Sequence, residues 1–200
     1  KTQNISYGNQ KGGRRFLPCM NAGLSTPVFV MNLEERISGL LHELGIHYDM
    51  LEHRAVYTVA EARACGIHEF AGKSCKNLFL RSGSPARKEY YLVLVPDTKR
   101  VDLKALTHVL GASARLNFAK EDELMERLSL HPGAVTPLAI IADREGCVEL
   151  VVDSELSGEI VQAHPGVNTR TLALALDDVL LMARHTGHRA RLVDIPGTEE

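Results

Sequence analysis

Residues 73–83 read KSCKNLFLRSG, and within them residues 77–80 are too short and too apolar a run for a surface helix. This run therefore predicts a buried strand. It begins directly after Lys76, with Asn77 beside it. A cation at the start of a buried strand has two explanations. Either the lysine stem lies along apolar surface while its ammonium reaches water, or the ammonium serves a ligand.

A second apolar run follows after a turn-forming sequence. Residues 82–85 read SGSP, which is typical of a turn, and residues 89–95 read EYYLVLV, which is rich in aromatic and branched side chains. The two runs predict an antiparallel hairpin centred on the strand that starts at Lys76.

Basic residues are concentrated around this hairpin. Between residues 73 and 104, eight basic residues outnumber three acidic ones, although the whole chain has a formal net charge of -2. The excess fits either a solvated hairpin face or a surface that binds phosphate. The basic residues are Lys73, Lys76, Arg81, Arg87, Lys88, Lys99, Arg100 and Lys104.

The remaining elements are predicted from hydrophobic periodicity and capping residues. Helices are predicted at residues 33–44, about 59–66, 103–110, 121–128 and 176–186. Further strands are predicted at 47–53, 116–119, 138–142, 147–152, 160–163, 170–175 and 189–195, with 138–142 paired to 147–152. Strands and helices mix without strict alternation, so we predict a single α+β domain with a mixed, mostly antiparallel sheet and flanking helices.

Composition narrows the class of protein. The chain has 200 residues, of which 44% are apolar and 24% charged, enough for one domain with a sizeable core. Residues 1–33 contain no acidic side chain, and we interpret residues 1–31 as a disordered leader or cloning remnant before a domain at 32–196. The alternative for such a basic, acid-free leader is a transit peptide. The four cysteines are widely spaced, which favours a reducing cytoplasm over a disulfide framework. No stretch is long and apolar enough to cross a membrane.

A second chemically informative segment is GAVTP at residues 133–137. Gly133 permits close approach of a ligand or another backbone, and Pro137 favours an extended conformation at Thr136. Such a segment can present bare main-chain groups to a ligand. A glycine and a proline at a strand entrance can also simply shape a loop.

The third segment is HPGVNT at residues 164–169. His164, Asn168 and Thr169 crowd a short loop that could hold a phosphate, a ribose or a reacting ester. Alternatively, Asn168 and Thr169 satisfy the backbone of their own turn.

Other catalytic patterns are poorly supported. His185 and His188 lie near a helix end without a third metal ligand. Lys76 is poorly placed to activate Cys75, because adjacent strand residues face opposite ways. The sequence contains no GxSxG motif, which a serine hydrolase of that type would need. We expect neither a metal ion nor a cofactor.

Three motifs occur in a fixed order along the chain: KNLFL, then GAVTP before an apolar strand, then HPGVNT before TLAL. Together they resemble the prolyl-tRNA editing-domain family, the YbaK/ProX type of aminoacyl-tRNA deacylases. The likeness covers residues 32–195, includes YTVAEA at 57–62, and looks most like the free-standing members that clear alanine from mischarged proline tRNA. It implies an α+β editing fold that acts in trans on the aminoacyl ester at the tRNA 3′ end, with prolyl-tRNA synthetase as a possible partner. The sequence does not indicate an oligomeric state.

The resemblance also implies site residues. The expected catalytic residues are Lys76, Gly133 and His164, and the expected substrate contacts are Asn77, Ala134, Thr136, Pro137, Asn168, Ile67 and Leu138. The sequence departs from the family at residues 72–75, GKSC, where a histidine or threonine is expected nearby, and at Ala139, where glycine is frequent. These departures bear on substrate preference more than on the reaction.

An aminoacyl ester is already activated, so the site must mainly position water and stabilise the developing oxyanion. Our hypothesis is that Lys76 holds the ester oxygen or the terminal adenosine's phosphate, while main-chain groups of residues 133–136 orient the water. His164 would line the site and contact the substrate, with general acid/base work as its less favoured role. The alternatives are a deacylase for cysteine or serine esters, and a non-catalytic module that binds nucleic acid or an aminoacyl-nucleotide.

Overall fold

The hairpin around Lys76 lies at the centre of the fold. A computed structural model describes residues 31–56, 61, 64–84 and 87–198. In it, β2 (Cys75–Ser84) pairs antiparallel with β3 (Arg87–Pro96), with Cys75 opposite Pro96 and Ser84 opposite Arg87. The predicted hairpin is confirmed.

Four helices and eight strands lie wholly within the described residues, in a mixed order. The helices are α1 (Leu33–Glu43), α2 (Leu103–Leu110), α3 (Glu121–Leu128) and α4 (Leu176–His185). The other strands are β1 (Tyr48–Glu52), β4 (Asn117–Phe118), β5 (Val148–Asp153), β6 (Ile160–Ala163), β7 (Arg170–Ala175) and β8 (Ala190–Val193). Short 3₁₀ segments cover Ile67–Glu69, Pro137–Ala142 and Ser154–Leu156. None of the described helices has the length and apolar character needed to cross a membrane.

The strands form two sheets rather than the one sheet that was predicted. The larger has the order β4-β2-β3-β5-β8, and the smaller has the order β1-β7-β6. Only β3–β5 and β5–β8 pair in parallel among the described strands, so the mixed, mostly antiparallel α+β class is confirmed.

The central strand β3 is buried on both faces, which explains its continuous apolar sequence. Tyr90, Leu92 and Leu94 join the core formed with α1, α3 and α4. Their neighbours Tyr91 and Val93 join a second core that includes α2. Burial on both faces fixes the hairpin firmly and gives the start of β2 a rigid support.

Helix boundaries follow the capping signals. Asn32 caps α1: its side-chain oxygen accepts a hydrogen bond from the Glu35 amide at 2.9 Å, and the Glu35 carboxylate accepts one from the Asn32 amide. Two predicted segments lie largely outside the described residues. They are the helix predicted at about 59–66 and the predicted leader, of which only Met31 is described.

The predicted strand at 138–142 is wrong. This segment is the 3₁₀ turn Pro137–Ala142, packed against α1, α3 and α4, and β5 pairs with β3 and β8 instead. Proline at the first helical position has a preset φ and loses no hydrogen bond there. A short buried apolar run carries no periodicity that separates a strand from a helix.

Residues 82–84 of the predicted turn belong to β2, which continues to Ser84, and Pro85 lies outside the described residues. Gly83 has a φ of +90°, and a Cβ atom there would lie 2.1 Å from the Arg87 carbonyl oxygen. Glycine is therefore required at this position for the two strands to approach each other.

Candidate functional site

A cavity of about 370 Å³ lies at the start of β2, between the two sheets. Its wall contains residues from both sheets and from the loops that follow β1 and β6. It brings together six of the residues predicted for the site, from all three sequence motifs: Ile67, Lys76, Asn77, Gly133, His164 and Asn168.

Four other predicted residues do not line this cavity. Leu138 and Pro137 lie in the buried 3₁₀ segment, and Ala134 packs against the core while Val135 takes its place in the cavity wall. Thr136 is fully buried, and its hydroxyl donates a hydrogen bond of 2.7 Å to the His164 carbonyl oxygen. Thr136 therefore joins two of the motifs without facing a ligand.

The Lys76 ammonium is held by a main-chain group. Its Nζ donates to the carbonyl oxygen of Asp97 at 3.2 Å, and both residues line the cavity. Within the described ranges, Lys76 forms no ion pair. An ammonium has three N–H donors, so donors remain for an anionic or carbonyl oxygen.

Much of the basic excess around the hairpin is neutralised by residues from elsewhere. Lys99 pairs with Asp153 at 2.6 Å, and Lys73 pairs with Glu159 at 3.0 Å. Arg81 and Lys88 both pair with the buried Glu123, at 3.3 Å and 2.9 Å. The local positive charge is therefore smaller than the sequence alone predicts, and Lys76 differs from these four in having no carboxylate partner in the described structure.

His164 is neutral near pH 7. Burial is the main reason that its pKa is lowered to about 4, and the nearby His53 lowers this pKa further. A hydrogen bond with the Val135 main chain acts in the opposite direction and raises the pKa. A weakly basic imidazole is poorly suited to carry protons at neutral pH. The arrangement favours a role for His164 in lining the site and contacting a ligand.

The pKa of His164 leads to a pH prediction for stability. A histidine whose pKa falls from 6.5 to about 4 on folding contributes stability that is fully present above about pH 6.5 and is lost as the pH falls toward 4. We expect His164→Leu to lose less of its unfolding free energy than the wild type between pH 6.5 and 4, measured by urea unfolding. The exposed control His47→Asn should follow the wild-type pH dependence. Parallel curves for His164→Leu and wild type would contradict the prediction.

Sequence reasoning missed several polar residues of the cavity wall, among them Gln162 and His53. Gln162 donates from its amide nitrogen to the carbonyl oxygens of Ile67 at 3.0 Å and Phe70 at 3.2 Å. His53 Nε2 lies 3.0 Å from the Thr171 hydroxyl. The glutamine had a usable signal, since a lone amide within the apolar strand β6 needs a buried partner.

Cys75 also lines the cavity, but as a protonated thiol. Burial raises its pKa to about 12, and the charge of Asp97 adds to the shift. Because the thiolate is the reactive form, this cysteine is a poor nucleophile.

One group of side chains outside the cavity has the spacing of metal ligands. Ligand atoms of Asp143, Glu145 and Cys147 lie within 4.8 Å of one another. The Arg127 guanidinium is 2.5 Å from Glu145 and 3.9 Å from Asp143. The charge of these two carboxylates is therefore already offset by an arginine, without a metal ion. His188 is buried and contacts the Asp143 carbonyl oxygen at 2.9 Å, a structural arrangement.

Comparison with known proteins gives a consistent set of relatives. A sequence profile described as the aminoacyl-tRNA editing domain matches residues 53–181. The chain is 34% identical over 166 residues to the prolyl-tRNA editing protein ProX of Acetoanaerobium sticklandii, covering 82% of this chain and 99% of that protein. It is 36% identical over 160 residues to the prolyl-tRNA synthetase associated domain-containing protein 1 of Bos taurus, covering 78% and 89%.

Solved structures share the fold. A crystal structure of a candidate trans-editing enzyme for prolyl tRNA synthetase superposes with a TM-score of 0.60 and 23% identity, covering 82% of this chain and 98% of that chain. A hypothetical protein of known crystal structure superposes with the same TM-score at 22% identity, covering 80% and 99%.

Proposed function

Because this chain belongs to the aminoacyl-tRNA editing domain family, and to its prolyl-tRNA editing type, we propose that it is a trans-editing deacylase. Its substrate is the ester of mischarged tRNA(Pro), with alanine as the preferred aminoacyl group. The observation that carries this proposal is the cavity in which Lys76, Gly133 and His164 meet, although they are far apart in sequence.

Lys76 supplies the charge that the reaction needs. Attack of water on the ester carbonyl places negative charge on its oxygen, and a fixed ammonium stabilises that charge. The same ammonium can bind a phosphate of the terminal adenosine instead. Its main-chain partner Asp97 limits its movement, so little reorganisation is needed during the reaction.

Gly133 shapes the main chain that faces the substrate. Its φ is +84°, and an added Cβ would meet no atom within 4 Å. Glycine is therefore needed for this backbone conformation rather than for space. We propose that main-chain groups of residues 133–136 orient the attacking water, while Asn168 contributes to the substrate-binding wall.

Substrate preference follows from size. A synthetase for proline cannot exclude the smaller alanine by steric overlap, and each missing methylene is worth only about 1–3 kcal/mol of discrimination. A second pocket that is too small for proline solves this problem. We propose that Ile67, in the cavity wall, limits the aminoacyl pocket and that Leu138 supports the wall from the core.

The partner in this proposal is the 3′ acceptor end of tRNA, encountered in the cytoplasm. The names of the relatives make prolyl-tRNA synthetase a further candidate partner.

The proposal is tested with a panel of charged tRNAs. We expect release of alanine from Ala-tRNA(Pro) to be at least about 100-fold faster than release of proline from Pro-tRNA(Pro), since proline carries additional ring carbons. Cys-tRNA and Ser-tRNA complete the panel. Faster release of cysteine or serine would assign the enzyme to that ester. No release above the rate in buffer would exclude a deacylase and favour the binding module.

A further inference from the structure

Within the described part of the chain, two polar atoms of the cavity residues are buried without a hydrogen-bond partner. They are Oδ1 of Asn77 and Nδ1 of His164. An unsatisfied buried polar atom costs about 1–3 kcal/mol, and one that lines a cavity can be satisfied by a bound ligand. Both side chains line the cavity, and both contact the main chain of Val135.

The orientation of the Asn77 amide is fixed by this contact. Its nitrogen donates to the Val135 carbonyl oxygen at 3.0 Å, a position that the amide oxygen cannot take because both atoms would be acceptors. The unpartnered atom is therefore an acceptor.

His164 lies beside the main chain of Val135, and its Nδ1 has no partner among the described residues. We assign the ring proton to Nε2, the tautomer that leaves Nδ1 free to accept a hydrogen bond from a ligand. In the neutral ring, Nδ1 then carries the lone pair and is also an acceptor.

We propose that Asn77 Oδ1 and His164 Nδ1 bind the α-ammonium group of the aminoacyl ester, so that the cavity selects substrates with a free amine. This inference rests on the proposed deacylase function. Two acceptors repel a phosphate or a carboxylate, so anionic groups of the substrate would bind to Lys76 instead. An ammonium offers three donors, and charged donors form the stronger hydrogen bonds.

The cavity wall carries charges of both signs. Lys76 and Arg170 line it together with Asp97, and Arg170 is paired with Glu34 and Glu52. Asp97 is the carboxylate of the described wall that can offset the charge of a bound ammonium, and its negative charge contributes to the raised pKa of Cys75. Two other groups could donate to these acceptors in place of the ammonium: the attacking water and a ribose hydroxyl. Both are neutral, and neither is changed when the substrate lacks its amine.

The experiment compares Ala-tRNA(Pro) with lactyl-tRNA(Pro), in which a hydroxyl replaces the amine without added bulk. Each rate is divided by the rate in buffer, which corrects for the different lability of the two esters. We expect the wild-type acceleration to be about 100-fold smaller for the lactyl ester, in line with loss of a charged hydrogen-bonded group. Equal accelerations would overturn the inference and leave the deacylase proposal standing.

Variants locate the selectivity. In Asn77→Leu, and separately in His164→Leu, we expect the alanyl-to-lactyl ratio to fall below about 10, mainly through slower alanyl hydrolysis. The matched control is Asn117→Leu, which makes the same change at an exposed position of β4 and should keep the wild-type ratio. An unchanged ratio in both cavity variants would contradict the assignment. If the wild-type protein itself did not hydrolyse Ala-tRNA(Pro), that result would instead count against the proposed function.

Discussion

Lys76→Ala is expected to slow deacylation of Ala-tRNA(Pro) by about 100- to 1000-fold while leaving the fold intact. The substitution removes the ammonium that faces the cavity and a single hydrogen bond to the Asp97 carbonyl oxygen. Because Lys76 forms no ion pair in the described structure, its loss leaves no buried carboxylate without a partner. The measurement is single-turnover release of alanine, with the melting temperature recorded for each variant.

A second substitution separates the two explanations for a lysine at this position. Lys76→Met keeps an unbranched apolar stem but removes the charge. If the stem only covers apolar surface, Lys76→Met should be as active as the wild type. If the ammonium acts on the substrate, Lys76→Met should be as slow as Lys76→Ala. Lys104→Ala, an exposed position on α2, is the control and should retain full activity.

Lys99→Ala is expected to have the opposite profile, a loss of stability of about 3–5 kcal/mol. Its ammonium lies 2.6 Å from the carboxylate of Asp153, which is fully buried, and 2.8 Å from Glu155. Removing the lysine leaves the Asp153 charge buried without its ammonium. In a domain of this size the melting temperature should fall by roughly 10 °C.

The comparison with an isosteric pair tests the cause. Lys99→Met combined with Asp153→Leu removes both charges, and we expect it to recover most of the stability lost in Lys99→Ala. A loss below about 1 kcal/mol in Lys99→Ala would mean that this pair behaves like an exposed one. Lys76 and Lys99 belong to the same basic stretch in the sequence, so their different profiles would separate a ligand-facing cation from a structural one.

Local patterns predicted most of the elements correctly. The bounds of α2 and α3 match the prediction, because each has a clear apolar stripe and end signals. The division into two sheets was not predictable in this way, because β1 pairs with β7 more than a hundred residues later in the chain. Strand periodicity says which face is buried but carries no information about the partner.

The site shows the same limit. The motifs around Lys76, Gly133 and His164 were expected to meet, and they line one cavity. Within the loop, however, Val135 rather than Ala134 faces the cavity, since side-chain direction in irregular backbone depends on dihedral angles that residue types do not fix. Ion pairing of the hairpin lysines also escaped prediction, because their partners come from distant segments.

The position of the cavity between the two sheets ties activity to the last stage of folding. Gln162 lies on the smaller sheet, and its side-chain amide donates a hydrogen bond to the carbonyl oxygen of Ile67. Its main-chain N–H donates to the carbonyl oxygen of Lys73, just before β2. The smaller sheet itself closes through the distant pairing of β1 with β7, a contact of the kind that forms slowly. A folding intermediate that has only the central hairpin would therefore have Lys76 in a strand but no pocket beside it. During refolding, catalytic activity should return later than strand content, and neither half of a split chain should be active alone.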